Sequence, residues 1–172
     1  PTIPAWVIFD GTFRSKYVFS PLIPDPTLQD KMVSRAVKEI LVKAGSLDAV
    51  GDYAGAITYY KKIQAVDPNY EFIDFNLGYM YYLLKDWRQA LGYFEKHLEQ
   101  DENDADVLRM SYYAYWQMAE EIWDVDPELA STYYEKAIVA IDKLVEMEDA
   151  VTYHRTLHKI YLKLERQEEA DG

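Results

Sequence analysis

His154 and His158 stand four residues apart in YHRTLH, a spacing that places two imidazoles on one face of a helix, as a pair of zinc ligands would require. A metalloprotease pair of this kind has a glutamate directly after its first histidine to act as general base, and here Arg155 occupies that place. The two histidines therefore read as packing residues. His97 stands apart from both. The run EQDENDADV gathers carboxylates as a calcium loop does, but it lacks that loop's glycine and closing glutamate, so it reads as a solvated turn joining two helices. The chain has no cysteine, which excludes thiol nucleophiles, disulfides and Cys-based zinc sites. No Ser–His–Asp set and no carboxylate pair follows from spacing. No catalytic residue, metal site or cofactor is expected. What remains in quantity is aromatic: 16 Tyr, 6 Phe and 4 Trp, enough to build either a core or a binding surface.

The elements that would carry these side chains divide the chain in two. Residues 1–36 hold five of the seven prolines. IPAWVIFD suits a short strand, and PLIPDPT forbids helix, since each proline lacks an N–H and restricts its predecessor. Thr27 or Asp30 could then cap a helix through KMVSRAVKEILVKA. The expectation is an extended arm over 1–36 and a helical domain over 37–172. IPAWVIF is too short to span a bilayer and has no basic lead-in. The chain begins at Pro1 and its last unit breaks off after Ala170, so both ends read as cuts within a longer protein. The compartment is undecided, with a cytoplasmic setting favoured.

Charge divides the same way. The net charge of −12 is not spread evenly: residues 1–50 hold 6 Lys/Arg against 5 Asp/Glu, leaving 12 against 25 from residue 51 onward. Such a surface repels phosphate backbones, which argues against nucleic acid and favours a partner of basic or apolar character.

From residue 51 the chain repeats itself. Gly51-Asp52-Tyr53 is followed by Ala56, Tyr60 and Pro68; Lys85-Asp86-Trp87 is followed by Ala90 and Phe94. Ala56 to Ala90 and Tyr60 to Phe94 are each 34 residues. Leu77-Gly78 and Tyr81 supply the preceding helix, and Ser111-Tyr112 with Tyr115 recur 34 residues on. Ala130, Tyr134 and Ala137 continue the pattern after an insertion around AEEIWDVDPEL, where Asp126-Pro127-Glu128 starts a new helix. Leu157, Tyr161 and Ala170 restart it.

This period, with small and aromatic residues at these offsets, resembles the tetratricopeptide repeat over about residues 37–172, in about three and a half repeats. The resemblance implies an all-α, tetratricopeptide-like helical-hairpin solenoid preceded by the extended N-terminal arm. Small residues such as Gly78 and Ala90 let paired helices approach, and large ones such as Tyr81 and Phe94 fill the space between hairpins. It also implies a concave groove lined from the first helix of each unit. The residues at the groove positions are Phe72, Phe75, Tyr79, Tyr82 and Leu83, then Asp106, Arg109, Tyr113, Trp116 and Gln117, then Thr152, Arg155, Lys159, Leu162 and Lys163. An aromatic floor beside a basic end suits a partner peptide or helix, with Arg109 and Lys159 orienting it. The carboxylate clamp of chaperone-binding members is not matched, since Leu41 and Gly45 stand where its Lys and Asn belong. The implied role is a non-catalytic scaffold or adaptor, of the kind that serves as a subunit of multiprotein complexes. A small acidic chaperone for secreted cargo is an alternative.

Residues 1–50 carry a second likeness. IPAWVIFDGTFRSKYVFSPLIP followed by ILVKAGSLDAV resembles a stretch of flavin-dependent ketosteroid-dehydrogenase-like proteins, in which a strand and loop precede a strand–helix unit. That likeness implies a detached or accessory part of such an enzyme. The chain has no GxGxxG turn to cradle a dinucleotide, so it cannot hold the flavin in that manner itself.

Overall fold

The computed structural model describes residues 8–9, 12–13, 35–67, 70, 72–148 and 150–171. The chain separates into two compact units, Pro1–Leu84 and Lys85–Gly172.

In the first unit, β1 (Ile8–Phe9) and β2 (Thr12–Phe13) form an antiparallel pair in which Ile8 faces Phe13 and Phe9 faces Thr12. The strand expected in IPAWVIFD is present at Ile8–Phe9. PLIPDPT and the caps expected at Thr27 and Asp30 lie outside the described residues. Helix α1 (Arg35–Ala49) runs unbroken through ILVKAGSLDA, so the strand–helix unit implied there by the flavoprotein likeness is helix throughout.

The chain then reverses within three residues. Gly51 takes a left-handed φ of 80°, which a side chain would strain, and Asp52 N–H donates to Leu47 O at 2.9 Å. Asp52 caps α2 (Tyr53–Val66), its Oδ1 accepting from Gly55 N at 2.9 Å. The apolar residues that α1 and α2 bury include Val37, Ala44, Ala56, Tyr60 and Ile63. Tyr60 is the large one, and its hydroxyl is pushed well above the usual range by burial and by the nearby Asp48 and Tyr70. Helix α3 (Ile73–Leu83) follows, tied to α2 by Gln64 Nε2 donating to Asp74 Oδ1 at 3.3 Å.

The second unit holds α4 (Trp87–Leu98), α5 (Ala105–Ile122), α6 (Pro127–Met147) and α7 (Val151–Asp171). Aspartates cap α4, α5 and α6: Asp86 accepts from Gln89 N, Asp104 from Asp106 N and Val107 N, and Asp126 from Leu129 N, all at 3.0 to 3.2 Å. With Asp52, part of the chain's acidity is thus spent on helix starts, each cap worth about 1 kcal/mol. Pro127 sits at the first turn of α6, where its missing N–H costs nothing, as the sequence indicates.

Ala90, Phe94, Ala130, Tyr134 and Ala137 are completely buried, as are Val107, Ala114, Ile141 and Leu144. These small and aromatic positions of the period are therefore core positions, whereas Tyr81 is half-buried and Tyr161 is exposed. The expected all-α, helical-hairpin fold class is the class observed.

The acidic turn between α4 and α5 is more than solvated. Asp101, Glu102 and Asn103 are exposed, but Asp104 is buried, and its Oδ2 lies 3.2 Å from His97 Nε2. His97, which spacing sets apart, ends α4 against the cap of α5. No helix among the described residues is long and apolar enough to cross a membrane.

Candidate partner-binding face

Each unit presents its own share of the expected groove residues. In the first unit, Phe75 is 1% exposed and Tyr79 8%, their rings stacked with centroids 6.1 Å apart. Both belong to the core, because α3 buries nearly every residue from Ile73 to Met80. Phe72 and Tyr82 are half-buried. Phe72 lies just before α3 with a left-handed φ of 68°, a conformation uncommon for a bulky residue.

In the second unit, Tyr113 and Trp116 lie one turn apart on α5, both half-buried, ring centroids 6.1 Å apart and nearly perpendicular. Trp87 of α4 meets Tyr113 edge-on at 5.9 Å. Two carboxylates fix the indoles: Trp87 Nε1–H donates to Glu121 Oε1 at 3.1 Å, and Trp116 Nε1–H to Glu120 Oε1 at 3.0 Å. Lys159 reaches from α7 and sets its ammonium 5.6 Å from the centre of the Trp116 ring.

Glu120 is the hub of this face. Besides Trp116 it accepts from the Tyr134 hydroxyl at 2.7 Å and from Lys163 Nζ at 3.1 Å, so one carboxylate joins α5, α6 and α7. Partial burial raises its pKa, but the bonds from Tyr134, Lys163 and Trp116 outweigh that and hold it below the usual carboxylate range. Lys163 also lies 5.1 Å from the Trp123 ring.

Arg109 is engaged by side chains of its own unit. Its Nη1 donates to Asp106 Oδ1 at 2.8 Å, its Nη2 to Glu148 Oε1 at 2.6 Å, and its Nε to the Tyr153 hydroxyl at 3.0 Å. The Tyr153 hydroxyl in turn donates to Glu148 Oε1 at 2.6 Å. The guanidinium therefore ties α5 to the α6–α7 turn and to α7. Tyr153 and Arg109 together hold the Glu148 carboxyl below its usual range.

Lys159 joins Trp116, whereas Arg155 is exposed on the outward side of α7. His154 and His158 are exposed as well, which corrects their reading as packing residues. Among its described side chains, helix α7 buries the side marked by Tyr153, Thr156 and Ile160, and the two histidines fall off that side. No group of three or more His, Asp or Glu side chains among the described residues is placed to hold a metal ion.

Residues 75–108 match the sequence model of the tetratricopeptide repeat, one full period of the pattern. The chain carries a tetratricopeptide repeat. No curated protein matches the chain. Tetratricopeptide repeats generally serve protein–protein interaction. The repeat positions single out Tyr113, Trp116 and Lys159, and these three side chains lie together in the structure. Sequence reasoning missed Glu120, Trp87 and Tyr134 as parts of the same face, although an acid four residues after Trp116 on one helix is a local signal. It also missed Glu148 and Tyr153, which meet Arg109 from 39 and 44 residues away.

Proposed function

We propose that the chain is a non-catalytic adaptor that captures an apolar segment of a partner protein on the Tyr113–Trp116 face of its second unit. The observation that carries this reading is the pair of half-buried aromatic rings, held in place by Glu120, Glu121 and Lys159. Aromatic rings with fixed planes lose little entropy on binding, which makes them effective anchors. The partner segment presents aliphatic or aromatic side chains to Tyr113 and Trp116. Its flanks are basic, since the region from residue 51 onward has an excess of 25 − 12 = 13 acidic over basic residues. Lys159 acts by fixing the indole plane. Phe72 and Tyr82 of the first unit are half-buried aromatics of the same kind and form a separate, additional contact surface. Phe75, Tyr79, Arg109 and Arg155 are not assigned to binding.

Selection of a random peptide display library on the chain tests this. Wild type is expected to enrich peptides with apolar anchors and basic flanks, and Trp116→Ala to lose that enrichment. Equal enrichment on wild type and Trp116→Ala would contradict it.

A further inference from the structure

Two consecutive carboxylates of α5 each accept an indole N–H, and the two pairings are completed differently. Glu120 Oε1 accepts from Trp116 Nε1–H at 3.0 Å, and α7 supplies the cations there. Lys163 Nζ donates to Glu120 Oε2 at 3.1 Å, and the Lys159 ammonium lies 5.6 Å from the centre of the Trp116 ring. Glu121 Oε1 accepts from Trp87 Nε1–H at 3.1 Å. No Lys, Arg or His among the described residues forms an ion pair with Glu121.

Helix geometry accounts for the difference. Successive residues of a helix point about 100° apart. Glu120 therefore turns toward α6 and α7, where Tyr134 and Lys163 meet it, and Glu121 turns toward Trp87 of α4. The Trp87 indole spans from Glu121, on its N–H, to the Tyr113 ring, which it meets edge-on at 5.9 Å. Trp87 is buried, whereas Glu121 is exposed and Tyr113 half-buried. A carboxylate is thus held in one place at the surface beside the aromatic rings.

We infer that Glu121 seats an arginine of the partner segment, its guanidinium on the carboxylate and its methylene stem along the Trp87–Tyr113 edge. This rests on the capture proposed above at Tyr113 and Trp116, and it names where the basic flank of the segment lands. The neighbouring pairing is the template, since the same indole–glutamate unit at Trp116 and Glu120 takes cations from the chain itself. The surrounding charge agrees: from Lys85 onward the chain has 10 Lys/Arg against 21 Asp/Glu. An acidic side chain would be repelled here, and an aliphatic one would cover the carboxylate without pairing it. Arginine suits the seat better than lysine, because its planar fork matches a carboxylate and its flat face packs on aromatic rings.

The test uses a peptide selected on the wild-type chain from a random display library. Wild type is expected to enrich arginine at a fixed spacing from the apolar anchor. Calorimetric affinities are then compared for the arginine form and for the same peptide with citrulline, its neutral isostere. Their ratio is read within each variant, so that any general loss of binding cancels. Arginine is expected to be favoured about fivefold by wild type, hardly at all by Glu121→Gln, and disfavoured by Glu121→Arg. Enrichment of apolar anchors without arginine would overturn the Glu121 assignment and leave capture by Tyr113 and Trp116 standing. Absence of any enrichment would overturn capture itself, and this assignment with it. An arginine preference that persists unchanged in Glu121→Gln would also overturn the assignment.

Discussion

The α1–α2 hairpin and the α5–α6–α7 group are assembled by different means. The first closes on a three-residue turn whose geometry rests on Gly51, and it buries small and aliphatic residues around Tyr60. The second uses longer helices and joins them with side-chain bonds that reach across the group, through Glu120 at one end and the Arg109–Glu148–Tyr153 cluster at the other. Its Tyr115 hydroxyl also bonds Glu95 of α4, and burial and that bond push the phenol well above its usual range. A backbone turn fixes helix direction alone. A network anchored on half-exposed carboxylates also fixes the orientation of surface rings, as at Trp116. The second group is therefore the part of the chain suited to present aromatic side chains in one arrangement.

The largest effect separating the two should come from cutting Tyr134. Tyr134→Ala removes a fully buried ring and a bond to Glu120, and is expected to cost about 3–5 kcal/mol in thermal or denaturant unfolding. Tyr134→Phe keeps the ring and is expected to cost about 1 kcal/mol. If the two variants cost the same, packing does not dominate at this position.

Gly51→Ala probes the first hairpin. Nothing lies within 4 Å of an added Cβ, so the left-handed backbone alone sets the penalty, about 1–2 kcal/mol by denaturant unfolding. Glu148→Gln probes the second group and is expected to cost about 1 kcal/mol at neutral pH, discounted because the carboxylate is half-exposed.

The pH profile sharpens the contrast further. Glu148 and Glu120 have depressed folded pKa values, so their stabilisation is complete above the unfolded value of about 4.3 and is lost as pH falls through the folded values. Glu148→Gln should flatten that acid limb. Tyr60, Tyr115 and Tyr134 have raised values, so the stability tied to their neutral forms holds below about pH 10 and is lost as pH rises beyond it. Unfolding followed by tyrosinate absorbance checks this. The smallest effect is expected at Ser111, whose buried Oγ has no hydrogen-bond partner among the described residues. Ser111→Ala should leave stability unchanged or raise it slightly.

Much of the fold is legible in the sequence because it is periodic. The alanines at 56, 90 and 130 and the aromatics at 60, 94 and 134 are all completely or almost completely buried. Asp126-Pro127 marks a helix start from local chemistry alone. The site is less legible, for two physical reasons. Repeat position says which way a residue faces on an average unit, not how far neighbouring helices cover it, so Phe75 and Tyr79 are core and His154 and His158 are not. Arg109 looks available on its own helix, because Glu148 and Tyr153 reach it from distant positions that no local pattern marks.

The most direct test of partner capture follows the four tryptophan indole N–H signals by NMR while a library-selected peptide is added. Shifts confined to Trp87 and Trp116, abolished by Trp116→Ala, are expected. Shifts at Trp6 or Trp123 instead, or an affinity that Trp116→Ala leaves unchanged, would contradict capture by the Tyr113–Trp116 face.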